Sequence, residues 1–423
     1  MRRAPPEGSG PFSLAGWFVV CSSSTRSPLA VDYWMDFASM LVRWLHVITA
    51  IAWIGSSFYF IWLDLSLRRA NALPEGVKGE SWLVHGGGFY RVRKYLVAPE
   101  EMPGTLHWFK YESYFTWISG FALLGITYYW GAEAYLLDPA VSGISPLVAI
   151  GLSLASLAVG WLLYHALCLS PLGRNVWALA AAVYVVIIAA AWGYSELYSS
   201  RAALLHTGAL VATWMTANVF FVIIPNQKKT VRALQAGEDP DPALGLEAKQ
   251  RSTHNNYLTL PVLFMMLSNH YPMTFVGEWL WLLVGAVVLL GGIIRDYFNA
   301  SHTGHGGWRV WWQWPTAAVL ALGIALSLRP EPVTIDPAAA AVSDGAIRTI
   351  VNNHCISCHA ANPSFPGYNE PPAGVRLESL DDVRRYASQV HAQTIASRAM
   401  PLGNMTEMTE AEREQLAAWL AAQ

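Results

Sequence analysis

Between Asp36 and Leu328 the chain alternates long apolar runs with short polar interruptions. Eight of these runs are long enough to cross a bilayer as helices, which takes about 20 residues. They cover roughly 37–63, 113–131, 145–169, 174–195, 200–224, 254–271, 275–294 and 308–328. The sixth carries Pro261 and closes on Ser268-Asn269-His270, the composition of a kinked helix beside a polar cavity rather than one facing lipid. Ahead of the first run, residues 1–34 hold Arg2, Arg3 and an apolar stretch from Phe12 to Cys21 that is too short to span. This part reads as a leader, or as an extension preceding a start at Met35.

After Leu328 the pattern changes. Residues 329–342 are rich in Pro and Ala, the composition of a semi-rigid spacer that advances about 3 Å per residue. Residues 343–423 then read as a small helical domain. Ser343 or Asp344 caps a helix with Ile347, Ile350 and Val351 on one face. Thr409 and Glu412 form a capping box ahead of Leu416, Trp419 and Leu420. These two helices are expected to cross, with Pro363 to Pro372 as an intervening loop.

Composition strengthens the membrane reading: only 13% of 423 residues are charged, 54% are hydrophobic, and 20 are tryptophan. The net charge of -2 conceals a split, because six basic and eleven acidic residues follow Leu328 and Arg329, leaving +3 for the rest. No basic patch of the kind nucleic acid requires is present. Arg68, Arg69, Lys78, Arg91, Arg93, Lys94 and Lys110 crowd the loop after the first run, and Lys228, Lys229, Arg232, Lys249 and Arg251 the loop after the fifth. The loops at 132–144 and 272–274 have no lysine or arginine. The basic loops are therefore expected on the cytoplasmic side, with both ends of the membrane part outside.

The strongest chemical signal is Cys355-Ile356-Ser357-Cys358-His359. In this Cys-x-x-Cys-His spacing two thiols bond covalently to a haem and the histidine reaches its iron. A zinc site would need a second pair of ligands, and Cys21 and Cys168 lie far apart in apolar segments. The sixth iron ligand in small c-type cytochromes is usually a methionine downstream. Met400, followed by Pro401, is the first candidate, ahead of Met405 and Met408. Haem attachment in the outer compartment agrees with the topology derived from lysine and arginine.

Within the membrane part, His46, His206 and His270 fall toward the outer face, and His165, His254, His302 and His305 toward the opposite one. An ionisable group in a bilayer is costly without a partner, so the outer three are candidates for a second, non-covalent b-type haem. The competing reading is hydrogen bonding between helices or a proton path. The loop from Asp64 to Glu112 is too long for a simple connector. Its segment Phe89–Tyr95 alternates like a strand, and Arg93, Lys94 and His107 are candidates for binding and deprotonating a flat anion, with Arg295, Asp296, His302 and His305 completing the pocket. A hairpin with its basic side on lipid head groups accounts for the same residues.

Arg43 to Phe58, Trp82 to Tyr90, His254-Asn255-Asn256-Tyr257 and Ser268 to Pro272 together resemble the bacterial membrane-bound urate oxidases, which join an integral membrane domain to a C-terminal cytochrome c. The resemblance runs from Met35 to the end. It implies an all-α protein with about eight membrane spans (35–328) and a class I-type cytochrome c domain (343–423), in the bacterial inner membrane with the cytochrome on the periplasmic side. It also implies oxidation of urate to 5-hydroxyisourate in purine breakdown. Electrons would pass to the covalent haem c and on to a respiratory acceptor, a cytochrome c oxidase or a soluble cytochrome. The residues themselves leave open a quinol or other small-molecule dehydrogenase, or a transporter or electron conduit fused to a cytochrome.

Overall fold

The computed structural model describes residues 28–69, 73–96, 99, 103–276, 279–303, 310–329, 342–365, 368 and 370–422. Residues 1–27 of the leader, most of the Pro/Ala spacer and His305 lie outside them, while residues 28–34 are helical.

Among the described residues nine α-helices follow one another up to Ser327: α1 (Pro28–Ser66), α2 (Tyr111–Leu124), α3 (Pro146–Leu169), α4 (Val176–Ser195), α5 (Ser200–Ala217), α6 (Ile224–Gln235), α7 (Pro242–Leu267), α8 (Leu280–His302) and α9 (Gln313–Ser327). Their starts are written in the sequence. Asn175 accepts the N–H groups of Trp177 and Ala178 at 3.0 and 3.1 Å, and Asp241 accepts that of Ala243 at 2.8 Å, with Pro146 and Pro242 opening α3 and α7 where a missing N–H costs nothing. Helices α5 and α6 form one continuous rod through a π-turn at Asn218–Ile223.

Among the described residues five segments are long and apolar enough to cross a membrane: Phe37–Ser66, Pro146–Leu169, Val176–Ser195, Ser200–Gln235 and Leu280–His302. The other three expected runs differ for local reasons. Helix α2 passes into a π-turn at Gly125–Tyr129, α7 begins twelve residues before the expected run and so carries a polar first half, and α9 has 15 residues.

Helix α5 is the centre of the bundle, with Leu204, Val211 and Trp214 fully enclosed by residues of α3, α4, α7 and α8. Lipid is as apolar as leucine, so close packing and polar contacts must hold such helices together. Tyr129 and Ser153 meet at 2.8 Å, Ser156 and Tyr194 at 2.6 Å, and Trp117 Nε1 donates to Thr213 at 3.1 Å.

The long loop after α1 is a β-hairpin. Strands β1 (Val77–His85) and β2 (Gly88–Tyr95) are antiparallel, with His85 opposite Gly88. The two-residue turn places Gly86 and Gly87 at φ +60° and +77°, which only glycine adopts without strain.

A second hydrophobic core gathers Ile347, Ile350, Val351, Leu377, Val383, Met408, Leu416 and Trp419. It lies between α10 (Asp344–His354), α11 (Ile356–His359), α12 (Leu380–Arg385), α13 (Ala387–Val390) and α14 (Glu410–Ala421). Helices α10 and α14 are pinned by Trp419 Nε1 donating to Asp344 at 2.8 Å and by His354 Nε2 lying 3.2 Å from Glu412. This part rests on the bundle through Gly403: a Cβ there would lie 2.7 Å from the carbonyl oxygen of Ala134.

Glu412 accepts the backbone N–H of Thr409 at 2.8 Å and its hydroxyl at 2.7 Å, and these bonds, with the contact to His354, hold its carboxyl below its ordinary value of 4.5. A carboxylate with a lowered folded pKa contributes stability that is full above the ordinary value and is lost as the pH falls through the lower one. Glu412→Gln is therefore expected to speed hydrogen exchange of the α14 amides about fivefold at pH 7, the equivalent of one capping interaction. The difference from wild type is expected to shrink below pH 4.5; an equal difference at both pH values rules out the carboxylate as its source.

Candidate functional site

At the hairpin end of the bundle, α1 and α8 border an open groove of about 490 Å³ lined by Phe58, Tyr59, Trp62, Arg295, Phe298 and His302. Its size is that of a small-molecule site. Five of the six side chains are aromatic or imidazole rings, and the sixth is a cation.

Arg295 is 6% exposed, and its guanidinium lies 3.9 Å from the centre of the Phe58 ring. Nε donates to Asn256 Oδ1 at 3.4 Å and Nη2 to Asn299 Oδ1 at 3.2 Å, while Asn299 Nδ2 donates to Asn256 Oδ1 at 2.9 Å. Among the described residues no carboxylate pairs with it. Asp296, its neighbour in sequence, accepts instead from Tyr257 and Gln313, each at 2.7 Å. The positive charge is thus held in place by neutral amides and left facing the rings. His302 adds a buried Nδ1 without a hydrogen-bond partner among the described residues, and its carbonyl accepts from Arg68 Nη2 at 3.2 Å.

The hairpin candidates are placed differently. Arg93 lies 3.3 Å from Glu80, which also takes Arg91 at 2.6 Å, and Lys94 is paired with Asp64. Although its burial favours the neutral form, the hydrogen bonds from Arg91, Trp82 and Arg93 hold Glu80 below the usual carboxylate range. His107 stacks edge-on against Phe109 at 4.5 Å, and Phe109 meets Phe60 of α1 at 4.7 Å. None of Arg93, Lys94 and His107 lines the groove.

A second polar group, which sequence reasoning did not assemble, lies between α3, the π-turn and α7. Tyr164 OH meets His254 Nδ1 at 2.7 Å and accepts from Asn218 Nδ2 at 3.0 Å, and the fully buried Arg251 donates to His165 Nδ1 at 3.1 Å. The extra residue of the π-turn is what brings Asn218 round to Asn255 at 2.9 Å.

The outer histidines have three different surroundings. His46 Nδ1 lies 2.9 Å from the carbonyl of Thr116 and 3.2 Å from Ser119 Oγ, with its ring against Gly120, where a Cβ would come within 2.9 Å of Cε1. His206 is fully buried, its Nδ1 donates to the carbonyl of Ala202 at 2.8 Å, and its Nε2 has no hydrogen-bond partner among the described residues. The rings of Tyr128, Tyr194 and Tyr198 enclose it at 5.0 to 5.8 Å. His270 lines the wide cleft between the bundle and the second core.

In the second core Cys355 and Cys358 are free thiols, and burial, then the neighbouring Cys358, pushes Cys355 up to about 12. His359 Nδ1 donates to the carbonyl of Val375 at 2.9 Å, which leaves Nε2 for a ligand. His354, by contrast, spends both ring nitrogens on Thr406 and Glu412. Met408 is packed into the core at 3% exposure, whereas Met400 is half-buried on a loop, its N–H donating to Gln393 at 2.9 Å.

Neither curated proteins nor solved structures contain a match to this chain. The family model described as urate oxidase N-terminal matches residues 32–328, from the start of α1 to the end of α9. That match takes in the aromatic groove, Arg295 and all the histidines of the bundle, and the chain belongs to the urate oxidase N-terminal family.

Proposed function

We infer that the protein is a membrane-bound oxidoreductase that oxidises urate to 5-hydroxyisourate and passes the electrons to a haem c held by Cys355, Cys358 and His359. The observation that carries the substrate is Arg295 in its ring-lined groove, within a chain of the urate oxidase N-terminal family. Urate is a flat anion, and the groove offers flat faces and one cation without a carboxylate. The monoanion and one water give 5-hydroxyisourate, one proton and two electrons. In this reading Arg295 binds and orients the anion, the rings of Phe58, Trp62 and Phe298 flank its plane, and the Nδ1 of His302, without a hydrogen-bond partner among the described residues, takes the proton.

Three features support the haem reading: the Cys-x-x-Cys-His spacing, the His359 imidazole fixed through Nδ1, and Met400 on a loop outside the core. Bound there, the haem supplies a one-electron acceptor and needs two successive transfers per urate. His206, whose buried Nε2 is unpartnered among the described residues, and His46, tied through Nδ1, are the side chains suited to a b-type haem on the way. From His206 the rings continue to Tyr128 at 5.7 Å, and from Tyr128 to Tyr135 at 6.4 Å, on the turn where Gly403 meets the bundle. In orientation, the hairpin and its arginines lie on the cytoplasmic side and the second core in the periplasm, where a respiratory cytochrome or oxidase takes the electrons.

The deciding experiment is an anaerobic visible spectrum before and after urate. Bands of reduced haem c are expected; a haem that dithionite reduces and urate leaves oxidised removes urate as the donor. Arg295→Gln is expected to raise KM for urate about ten- to hundredfold, the worth of a charge-assisted hydrogen bond, while Arg93→Gln shifts it by no more than about twofold because its charge is spent on Glu80. Equal effects of the two would move the anion site to the hairpin. Replacing both thiols (Cys355→Ala with Cys358→Ala) is expected to abolish covalent haem, read by haem staining of the denatured chain, while urate binding by calorimetry persists.

A further inference from the structure

Arg413 sits on the first turn of α14, 6% exposed, and forms no carboxylate ion pair among the described residues. Of the three acids of its own helix, Glu410 pairs with Arg398 at 2.7 Å, Glu412 is taken by Thr409 and His354, and Glu414 forms no ion pair among the described residues. The guanidinium donates from Nη1 to the carbonyls of Thr394 and, at 2.9 Å, Met400, and from Nη2 to Asn404 Oδ1 at 3.1 Å. Its three acceptors stand before, at and after Met400.

A buried cation costs several kcal/mol unless its hydrogens are all placed, and an apolar residue would serve the α14 face at less cost. What the arginine adds is a rigid planar fork that reaches diverging acceptors, which a lysine point charge cannot reproduce. Asn404 extends the hold, because its Nδ2 donates to the carbonyl of Met408 at 3.3 Å and so ties the loop to a side chain packed in the core. We propose that Arg413 is a positioning residue for Met400, fixing the loop so that the thioether stands ready as the axial ligand opposite His359. This rests on the haem c reading given above.

A role in stability alone would lower the yield of folded protein and leave the iron's ligand field untouched in the molecules that fold. The test therefore reads the ligand field, in the full-length protein carrying its covalent haem. Wild type, Met400→Ala, Arg413→Gln, Arg413→Lys and Asn404→Ala are compared by the far-red charge-transfer band of methionine-ligated ferric haem, by midpoint potential and by carbon monoxide binding to the ferrous form. Because methionine ligation raises the potential, Arg413→Gln is expected to follow Met400→Ala: loss of the band, a lower potential and new carbon monoxide binding. Arg413→Lys is expected between it and wild type, and Asn404→Ala is expected to weaken the band.

An Arg413→Gln protein with wild-type band and potential overturns the proposal, as does a Met400→Ala protein that keeps the band. Should Arg413→Gln fail to accumulate, unchanged spectra in both Arg413→Lys and Asn404→Ala overturn it instead. A wild type without covalent haem fails the haem reading and this proposal together, whereas a haem-bearing wild type with unmoved variants fails this proposal alone.

Discussion

A guanidinium inside an apolar bundle must be compensated, and how Arg295 is compensated sets the form of the site around it. A carboxylate would cancel the charge and leave nothing for an anion. Two asparagines and the face of Phe58 do something different: they lower the cost of burial while the net charge stays positive. The arrangement needs α1, α7 and α8 at one level, because Phe58, Asn256 and Arg295 come one from each. Asp296 could have collapsed it, being next in the chain, but Tyr257 and Gln313 hold that carboxylate with two hydrogen bonds of 2.7 Å.

The same economy governs the far end of the chain. Arg413 is a second buried cation without a carboxylate, and it too is satisfied by neutral oxygens, here on a loop. In both places a charge is spent on fixing geometry. In the hairpin the opposite holds: Arg91 and Arg93 converge on Glu80, and Lys94 on Asp64, so that its basic residues are consumed in holding two strands to the end of α1.

This contrast explains how much of the site was legible in the sequence. Helix positions, the hairpin strand, both helices around the second core and the Cys-x-x-Cys-His motif follow from periodicity, capping residues and spacing, all of which are local. Arg93 and Lys94 looked like anion ligands because a run of bases in a loop shows its charge but hides its partners. Glu80 stands thirteen residues from Arg93, and only the register of β1 on β2 brings them together. The Tyr164–Asn218–His254 group was hidden for a related reason. Its members come from three helices, and Asn218 is turned inward by a π-turn that no residue type announces. An arginine within an apolar run, as at 295, was the better signal, since it cannot be left in lipid and must face something.

Placing the substrate at Arg295 and the acceptor at Cys355 puts the two at opposite ends of the bundle, and that separation gives the interior tyrosines their meaning. His206 stands at the centre of three tyrosine rings with its Nε2 unbonded among the described residues, an arrangement that calls for an explanation beyond packing. Tyr128 and Tyr135 continue from it to the turn at Ala132–Leu136, and that turn is also where Gly403 docks, three residues beyond Met400. The loop that carries Met400 is therefore the loop that contacts the bundle. Fixing Met400 and fixing the approach of the two cores become one structural requirement, which a buried arginine with three acceptors on that loop is well suited to meet.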